Sequence, residues 1–184
     1  MCNKMVQKTY ILDTNVYGEL IVEKEMSEII SKIKKDDSLY IYGVDIIEQE
    51  LHDVPSDKKI KGDFFRDAVL NLYKSLIKEE IILSPISKYL TSEYIKKYSE
   101  LKKSGKYFKI INNKELKRKE EDLKVDFEII AIASLKGVDI VVSADERTML
   151  SGLSTETYDI VNKINGLVTP NLIDYFEFRK RYIK

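Results

Sequence analysis

The chain has 184 residues with 43% hydrophobic side chains, so it is long enough to form one domain around a substantial core. Its 31 basic and 31 acidic residues cancel, and any attraction for nucleic acid must therefore come from a local patch. One cysteine and one histidine exclude an intramolecular disulfide, a cysteine-rich zinc site and paired-histidine ribonuclease chemistry.

The first predicted strand ends on an acid. The run Thr9–Leu12 consists of β-forming and apolar residues without a break, which is typical of a strand covered on both faces. Asp13 follows directly, at the carboxyl end of that strand, where open α/β sheets bind their ligands. Asp13 is therefore predicted to be one ligand of a divalent metal ion, with the other ligands supplied by later parts of the chain.

The rest of the chain alternates between helical and β-like segments. The spacing of apolar residues predicts helices over 24–35, 44–54, 63–78, 125–136 and 154–165, with another before Gly105. Short β-like runs predict strands over 38–43, 80–84, 139–143 and 166–169, and Pro170 is expected to open a terminal helix. Residues 56–62 read as a polar link. This alternation implies an α/β protein with a parallel sheet between two layers of helices, in one domain over 1–184.

Residues 85–122 differ in character and are predicted to be a charged helical insertion or arm. Within 102–124 there are nine basic and four acidic residues, which gives a local charge of +5. Such a run is most often a solvated helical arm. Tyr107 and Phe108 among the lysines also suit single-stranded RNA, because aromatic rings stack on bases while cations follow the phosphates. The candidate RNA-binding residues are Lys102, Lys103, Lys106, Lys117, Arg118 and Lys119.

Two of the candidate metal ligands follow predicted strands. Asp13 and Asp145 both lie directly after a strand end, although each could instead cap a helix, in the second case a helix starting at Glu146. Mg²⁺ and Mn²⁺ take hard oxygen ligands and share their coordination shell with a substrate phosphate. Such an ion polarises a phosphoryl oxygen and activates water, so a cluster of carboxylates indicates phosphodiester hydrolysis.

Two further acids are predicted to point inward from helices. Glu50 and Asp126 each lie at helical spacing from apolar residues, which places them on the buried faces of their helices. In each case a neighbour competes, because Glu48 and Asp122 are acidic alternatives close by. The four acids together predict a metal site built from four different elements.

Other nucleotide- and phosphate-handling classes fit less well. A haloacid-dehalogenase-like phosphohydrolase needs a second acid two residues after the strand-end aspartate, and this chain has Asn15 there. The seven glycines never approach the dinucleotide-binding G-x-G-x-x-G pattern. Gly105 and Lys106 are followed by Tyr107 instead of the Ser or Thr that a phosphate-binding P-loop requires.

The acidic segments resemble the four motifs of PIN-domain nucleases, a family that includes the VapC-like ribonucleases. The matching segments are Leu12-Asp13-Thr14-Asn15, Glu50-Leu51, Asp126 with Ile129-Ile130-Ala131, and Val142-Ser143-Ala144-Asp145. The closing segment Gly166–Pro170, with Leu172 and Phe176, is similar to the family's last strand and helix. The resemblance covers about residues 8–54 and 122–178, while residues 55–121 match no motif. The chain is longer than compact VapC-type toxins, and some runs are also similar to PIN enzymes that process tRNA 5′ ends.

The resemblance implies a three-layer PIN-like fold with about five mainly parallel strands. It also implies an endoribonuclease that depends on Mg²⁺ or Mn²⁺ and leaves 5′-phosphate and 3′-hydroxyl ends. Asp13, Glu50, Asp126 and Asp145 would form the acidic cluster, with Asn15 and Ser143 orienting ligands or water. RNA, single-stranded or structured, would be the substrate, and an antitoxin-like protein partner and a homodimer are further implications.

One alternative is a PIN fold that binds RNA or protein without catalysing a reaction. Intact acids favour the enzyme. The first eight residues lack the apolar segment of a signal peptide, and no apolar run reaches membrane-spanning length, so a cytoplasmic protein without membrane contact is expected.

Overall fold

The computed structural model describes residues 7–104 and 123–182. Its strands, in chain order, are β1 (Lys8–Leu12), β2 (Leu39–Val44), β3 (Lys59–Ile60), β4 (Asp63–Phe64), β5 (Glu79–Ile81), β6 (Ile140–Ser143) and β7 (Asn171–Asp174). Five of them form one parallel sheet in the order β5-β2-β1-β6-β7, and β3 and β4 form a separate antiparallel hairpin. This arrangement confirms the predicted parallel sheet of five strands.

The helices are α1 (Thr14–Val22), α2 (Met26–Lys35), α3 (Asp45–His52), α4 (Phe65–Leu76), α5 (Pro85–Lys103), α6 (Lys124–Lys136), α7 (Gly152–Ile164) and α8 (Tyr175–Arg179). They pack in two groups, α1 with α2, α3 and α4, and α5 with α6 and α7. The helices flank the sheet, as predicted. None of the helices within the described residues is long and apolar enough to cross a membrane.

The centre of the sheet is buried on both faces. Ile11 and Leu12 of β1 and all four residues of β6 are shielded from solvent. A strand covered on both sides needs a continuous apolar run, which explains why these two strands were recognisable from sequence. Their carboxyl ends are therefore fixed side by side within a rigid core.

The last strand is not where the sequence predicted it. Residues 166–169 do not form the strand; it begins only at Asn171, whose N–H donates to the carbonyl of Asp139 at 2.9 Å. Gly166 instead ends the preceding helix, with a left-handed φ of 68° that glycine adopts at no steric cost. Pro170 precedes the strand, and the terminal helix starts at Tyr175.

Two other elements were not predicted from the sequence. The helix α1 directly after the first strand was considered only as a helix that Asp13 could cap, and the polar link at 56–62 contains one strand of a short hairpin. The helix α5 packs on the domain through the buried side chains of Leu90, Tyr94 and Tyr98. The remainder of the charged segment, residues 105–122, lies outside the described residues.

Candidate functional site

Asp13 lies at the carboxyl end of β1 and is only 4% exposed. Its backbone N–H donates to the carbonyl of Val142 at 2.9 Å, which joins it to the neighbouring strand β6. Its carboxylate accepts one hydrogen bond from the N–H of Thr14 at 2.7 Å and another from the hydroxyl of Ser143 at 2.8 Å. Asp13 therefore does cap helix α1, and it also faces the end of β6.

Ser143 and Asn15 connect the ends of the two central strands. The Ser143 hydroxyl accepts a hydrogen bond from the N–H of Asp145 at 3.0 Å while it donates to Asp13. The side-chain oxygen of Asn15 accepts from the N–H of Ala144 at 2.9 Å. Both residues thus link the backbone at the end of β6 to the end of β1.

Asp145 is followed by turns instead of the helix considered for Glu146. Its carboxylate oxygen Oδ1 accepts from the N–H groups of Arg147 at 2.8 Å and Thr148 at 3.0 Å. The next helix, α7, begins only at Gly152. The expectation of a helix from Glu146 is therefore wrong, because the Asp145 side chain closes a tight turn and does not cap a helix.

Glu50, and not Glu48, faces the end of β1. The carboxylate of Glu50 accepts a hydrogen bond from the hydroxyl of Thr14, the residue after Asp13. Burial raises the pKa of Glu50, in opposition to that hydrogen bond. Glu48 turns away and forms a salt bridge with Lys74 of α4, with 3.2 Å between Nζ and Oε1.

Asp126 lies in the first turn of α6 and is linked to the turn after β6. The side chain of Thr148, which is only 3% exposed, lies beside its carboxylate and lowers its pKa, against the larger effect of burial. The same threonine uses its backbone N–H to bind Asp145, so one residue connects two of the acids. The competing acid Asp122 lies outside the described residues.

The electrostatics of Asp13 reflect its neighbours. Burial raises the pKa of its carboxyl from 3.8 to about 6. The hydrogen bonds from Ser143 and Thr14 oppose this shift, and the negative charges of Glu50 and Asp145 add to it. Carboxylates influence each other in this way only when they are close and poorly screened by water.

Asp126 behaves in the same way. Burial raises the pKa of its carboxyl from 3.8 to about 7, against the hydrogen bond from Thr148. The charges of Asp13, Asp145 and Glu50 contribute in the same direction. The structure therefore brings all four predicted acids into one electrostatic neighbourhood at the carboxyl edge of the sheet.

The four carboxylates have the right chemistry for a hard divalent cation but do not form a finished set of ligands. Within residues 7–104 and 123–182, no three Asp, Glu, His or Cys side chains are already arranged around one metal position. The carboxylates of Asp13 and Asp145 are instead engaged by hydrogen bonds. A cation at this site would thus require some of the carboxylates to rotate.

Only two of the six basic residues predicted to contact RNA are described. Lys102 and Lys103 lie in the last turn of α5. One turn earlier, the ring of Tyr98 packs on Phe127, with 5.6 Å between ring centroids. Phe127 follows Asp126 directly, so the last turns of α5 pack against the first turn of α6, which carries Asp126. The others, Lys106, Lys117, Arg118 and Lys119, lie outside the described residues.

Sequence reasoning missed two threonines that support the acids. Thr14 holds Glu50, and Thr148 holds both Asp126 and Asp145. Thr14 follows the strand-end acid directly, which was a usable signal. Thr148 carried none, because its contact with Asp126 joins elements that are distant along the chain.

Comparison with known proteins gives little. No protein-family model and no curated protein matches this chain. Among solved structures, a chain from VapBC2 of Rickettsia felis, bound to a DNA fragment from their promoter, is similar at 17% identity with a TM-score of 0.48. The likeness covers 90% of this chain and 98% of that chain, and it is too weak to bear on function.

Proposed function

We propose that this protein is an endoribonuclease of the PIN type that depends on Mg²⁺ or Mn²⁺. It would hydrolyse phosphodiester bonds of RNA to leave 5′-phosphate and 3′-hydroxyl ends. The observation that carries the proposal is the convergence of four carboxylates, from Asp13, Glu50, Asp126 and Asp145, at one edge of a parallel sheet. Open α/β sheets bind their ligands at this edge.

The raised pKa values support the proposal that this site binds a cation. Two carboxyls with pKa values of about 6 and 7 are partly protonated near neutral pH because they are buried, and the negative charges of neighbouring carboxylates add to this effect. A divalent cation would replace those protons. When bound, it would polarise the phosphoryl oxygen and lower the pKa of an attacking water.

The side chains around the acids would position them for that role. Asp13, Glu50, Asp126 and Asp145 would hold the cation. The hydroxyls of Ser143 and Thr14 would set the orientations of Asp13 and Glu50, since each already hydrogen-bonds to one of them, and the side chain of Thr148 would support Asp126. Asn15 would fix the β6 end through its bond to Ala144. Supporting contacts of this kind tune the affinity of metal sites.

The proposed substrate is RNA, single-stranded or structured. Lys102 and Lys103 support this, because they lie at the end of α5 that packs against the first turn of α6, the turn that carries Asp126. Lys106, Lys117, Arg118 and Lys119, which lie outside the described residues, are proposed as further RNA contacts on their charge alone. A role as a toxin would add an antitoxin-like protein partner, and a homodimer is a further part of the proposal, whereas a role in RNA processing would need neither.

One observation favours a second candidate function, a PIN-fold module that binds RNA or protein without cleaving it. The described acids do not close into a ready set of three ligands, and Asp13 and Asp145 already accept hydrogen bonds. A binding module would leave these contacts undisturbed. It would keep affinity for RNA and show no turnover with any divalent cation.

Cleavage of single-stranded RNA with Mn²⁺ separates the two candidates. The wild type should cut the RNA, and Asp13→Asn should cut it at least about a hundredfold more slowly while still binding it. Asp139→Asn is the matched control, because it changes an aspartate beside the same sheet at the opposite edge. Equal cleavage by the wild type and Asp13→Asn would remove Asp13 from the chemistry, and RNA binding without any cleavage would favour the binding module.

A further inference from the structure

An open cavity of about 400 Å³ lies at the carboxyl edge of the sheet, beside Asp145. The described residues that line it are Asn15, Glu19, Ala144, Asp145, Glu146 and Arg147. Its volume is within the range of small-ligand sites, which is enough for part of a nucleotide chain. It is therefore the space through which a substrate would reach Asp145.

The cavity has an unusual charge balance for a site that accepts RNA. Three carboxylates line it, from Glu19, Asp145 and Glu146, with a single cation, Arg147. An adjoining cavity of about 410 Å³ shares Glu146 and also contains Asp174 and Glu177, but no basic residue among those described. An anionic phosphodiester that enters the first cavity meets one favourable charge among the described residues, the guanidinium of Arg147, and it meets none in the adjoining cavity.

The backbone of Arg147 is held firmly while its side chain is exposed. The carboxylate of Asp145 fixes the N–H of Arg147 at 2.8 Å and that of Thr148 at 3.0 Å. The side chain of Thr148 in turn lies near Asp126, whose pKa it lowers. The position of Arg147 is thus tied to two of the acids. Among the residues that the structure describes, none forms a salt bridge or hydrogen bond with its guanidinium.

We propose that Arg147 binds a non-bridging oxygen of an RNA phosphate in this cavity and so sets the strand against Asp145. An arginine fork can donate two parallel hydrogen bonds to a phosphate, which a lysine cannot do. The inference rests on the proposed ribonuclease function, because it names a substrate-binding residue of the same site. Its chemical target is the phosphodiester backbone, so it confers no preference for base sequence.

The test compares Arg147→Ala and Arg147→Lys with Lys163→Ala, a charge-matched control near the end of α7. That end is at the opposite edge of the sheet, because the next residues lead into the start of β7. For Arg147→Ala, the KM for single-stranded RNA should rise about tenfold or more, with kcat changed far less. The KM of Arg147→Lys should lie between those of the wild type and Arg147→Ala, since lysine keeps the positive charge but loses the two parallel donors of the guanidinium.

Binding provides a second measurement that does not need cleavage. In an Asp126→Asn background, Arg147→Ala should weaken RNA binding by a similar factor. The slope of log affinity against log salt should fall by about 0.7, as expected for one lost phosphate contact on a single strand. Lys163→Ala in the same background should change neither quantity.

The outcomes separate this inference from the proposed function. No Mn²⁺-dependent cleavage by the wild type would overturn the ribonuclease, while the binding comparison would still decide the role of Arg147. RNA affinity and salt slope equal to those of Lys163→Ala would overturn the inference, even in an active enzyme. A changed Mn²⁺ requirement with unchanged RNA affinity would also overturn it, since Arg147 would then only balance the charge of the acids.

Discussion

The pKa values of aspartates at the two edges of the same sheet shift in opposite directions. At the amino edge, Asp139 accepts hydrogen bonds from both the N–H and the hydroxyl of Thr9, at 2.8 Å and 2.7 Å. These bonds, the backbone one first, hold the pKa of Asp139 below its usual 3.8. At the carboxyl edge, burial raises the pKa values of Asp13 to about 6 and of Asp126 to about 7.

The difference lies in the balance of donors against neighbouring charge. Asp139 is exposed, receives two donors from one residue and has Lys8 as a favourable charge nearby. Asp13 also receives two donors, but it is buried and shares its surroundings with other carboxylates. Hydrogen bonds alone therefore do not compensate a crowded, buried acid. Such a carboxylate is costly for the fold, which is typical of a functional site and not of a structural clamp.

The sharpest test of this comparison uses two glutamates on one helix. Glu50→Gln should slow RNA cleavage by about a hundredfold or more, because Glu50 faces the acidic cluster. Glu48→Gln should leave the rate within about twofold, since it loses only a partly exposed salt bridge to Lys74. Rates with Mn²⁺ at saturating RNA would measure both. If Glu48→Gln slowed RNA cleavage more than Glu50→Gln does, the second acid of the cluster would be Glu48 instead of Glu50.

Divalent cations should stabilise the protein, and more at high pH. The carboxyls at the carboxyl edge hold protons with pKa values of about 6 and 7, so cations compete with protons at pH 5.5 and much less at pH 7.5. Saturation at a hundredfold above Kd adds about 2.7 kcal/mol, or roughly 5–10 °C in Tm for a domain of this size. Thermal melts with Mn²⁺ and with chelator would measure it, using Asp126→Asn as control. If the protein had the same Tm with Mn²⁺ as with chelator at both pH values, the metal site would be contradicted.

Removing a crowded charge should stabilise the metal-free fold. The pKa of Asp126 is higher in the folded protein than its ordinary 3.8, so the folded state binds more protons between about pH 4 and 7. Its stability therefore falls as pH rises through that range. Asp126→Asn should raise the free energy of unfolding by about 1–3 kcal/mol at pH 8 and by little at pH 4. Urea unfolding in chelator at both pH values would measure this, and a loss of stability at pH 8 would contradict the crowding.

The positions of the two strand-end acids could be predicted from the sequence because the pattern that marks a buried strand is local. A buried strand is an unbroken apolar run, and the residue after it is fixed at the carboxyl edge, which is why Asp13 and Asp145 could be predicted. The choice between Glu48 and Glu50 could not be made, because it depends on Lys74 from another helix. The last strand was misplaced because Gly166 is compatible with both a helix end and a turn before a strand.

The sequence also could not show how far the surroundings of each aspartate stabilise its charged form. Asp139 and Asp145 both flank the same predicted strand, at its start and just after its end, and both are aspartates. Asp139 accepts hydrogen bonds from Thr9, which is 130 residues away along the chain, whereas Asp145 lies near the like charge of Asp126, which comes from another helix. Composition and spacing do not contain that information, whereas the folded structure does.

The smallest expected effect is at the amino edge, and its sign is opposite. The pKa of Asp139 is lowered in the folded protein, so its stabilisation is present at neutral pH and lost as pH falls below its usual 3.8. Asp139→Asn should lower the free energy of unfolding by about 0.5–1.5 kcal/mol at pH 7, because its bonds to Thr9 lose their charge, and by less at pH 3. Urea unfolding would measure both values, and Thr9→Val in a double-mutant cycle would show whether the two residues act as one unit. If Asp139→Asn stabilised the protein at pH 7, as expected for Asp126→Asn, the aspartates at the two edges would not differ in their effect on stability. The raised pKa values at the carboxyl edge would then need another explanation.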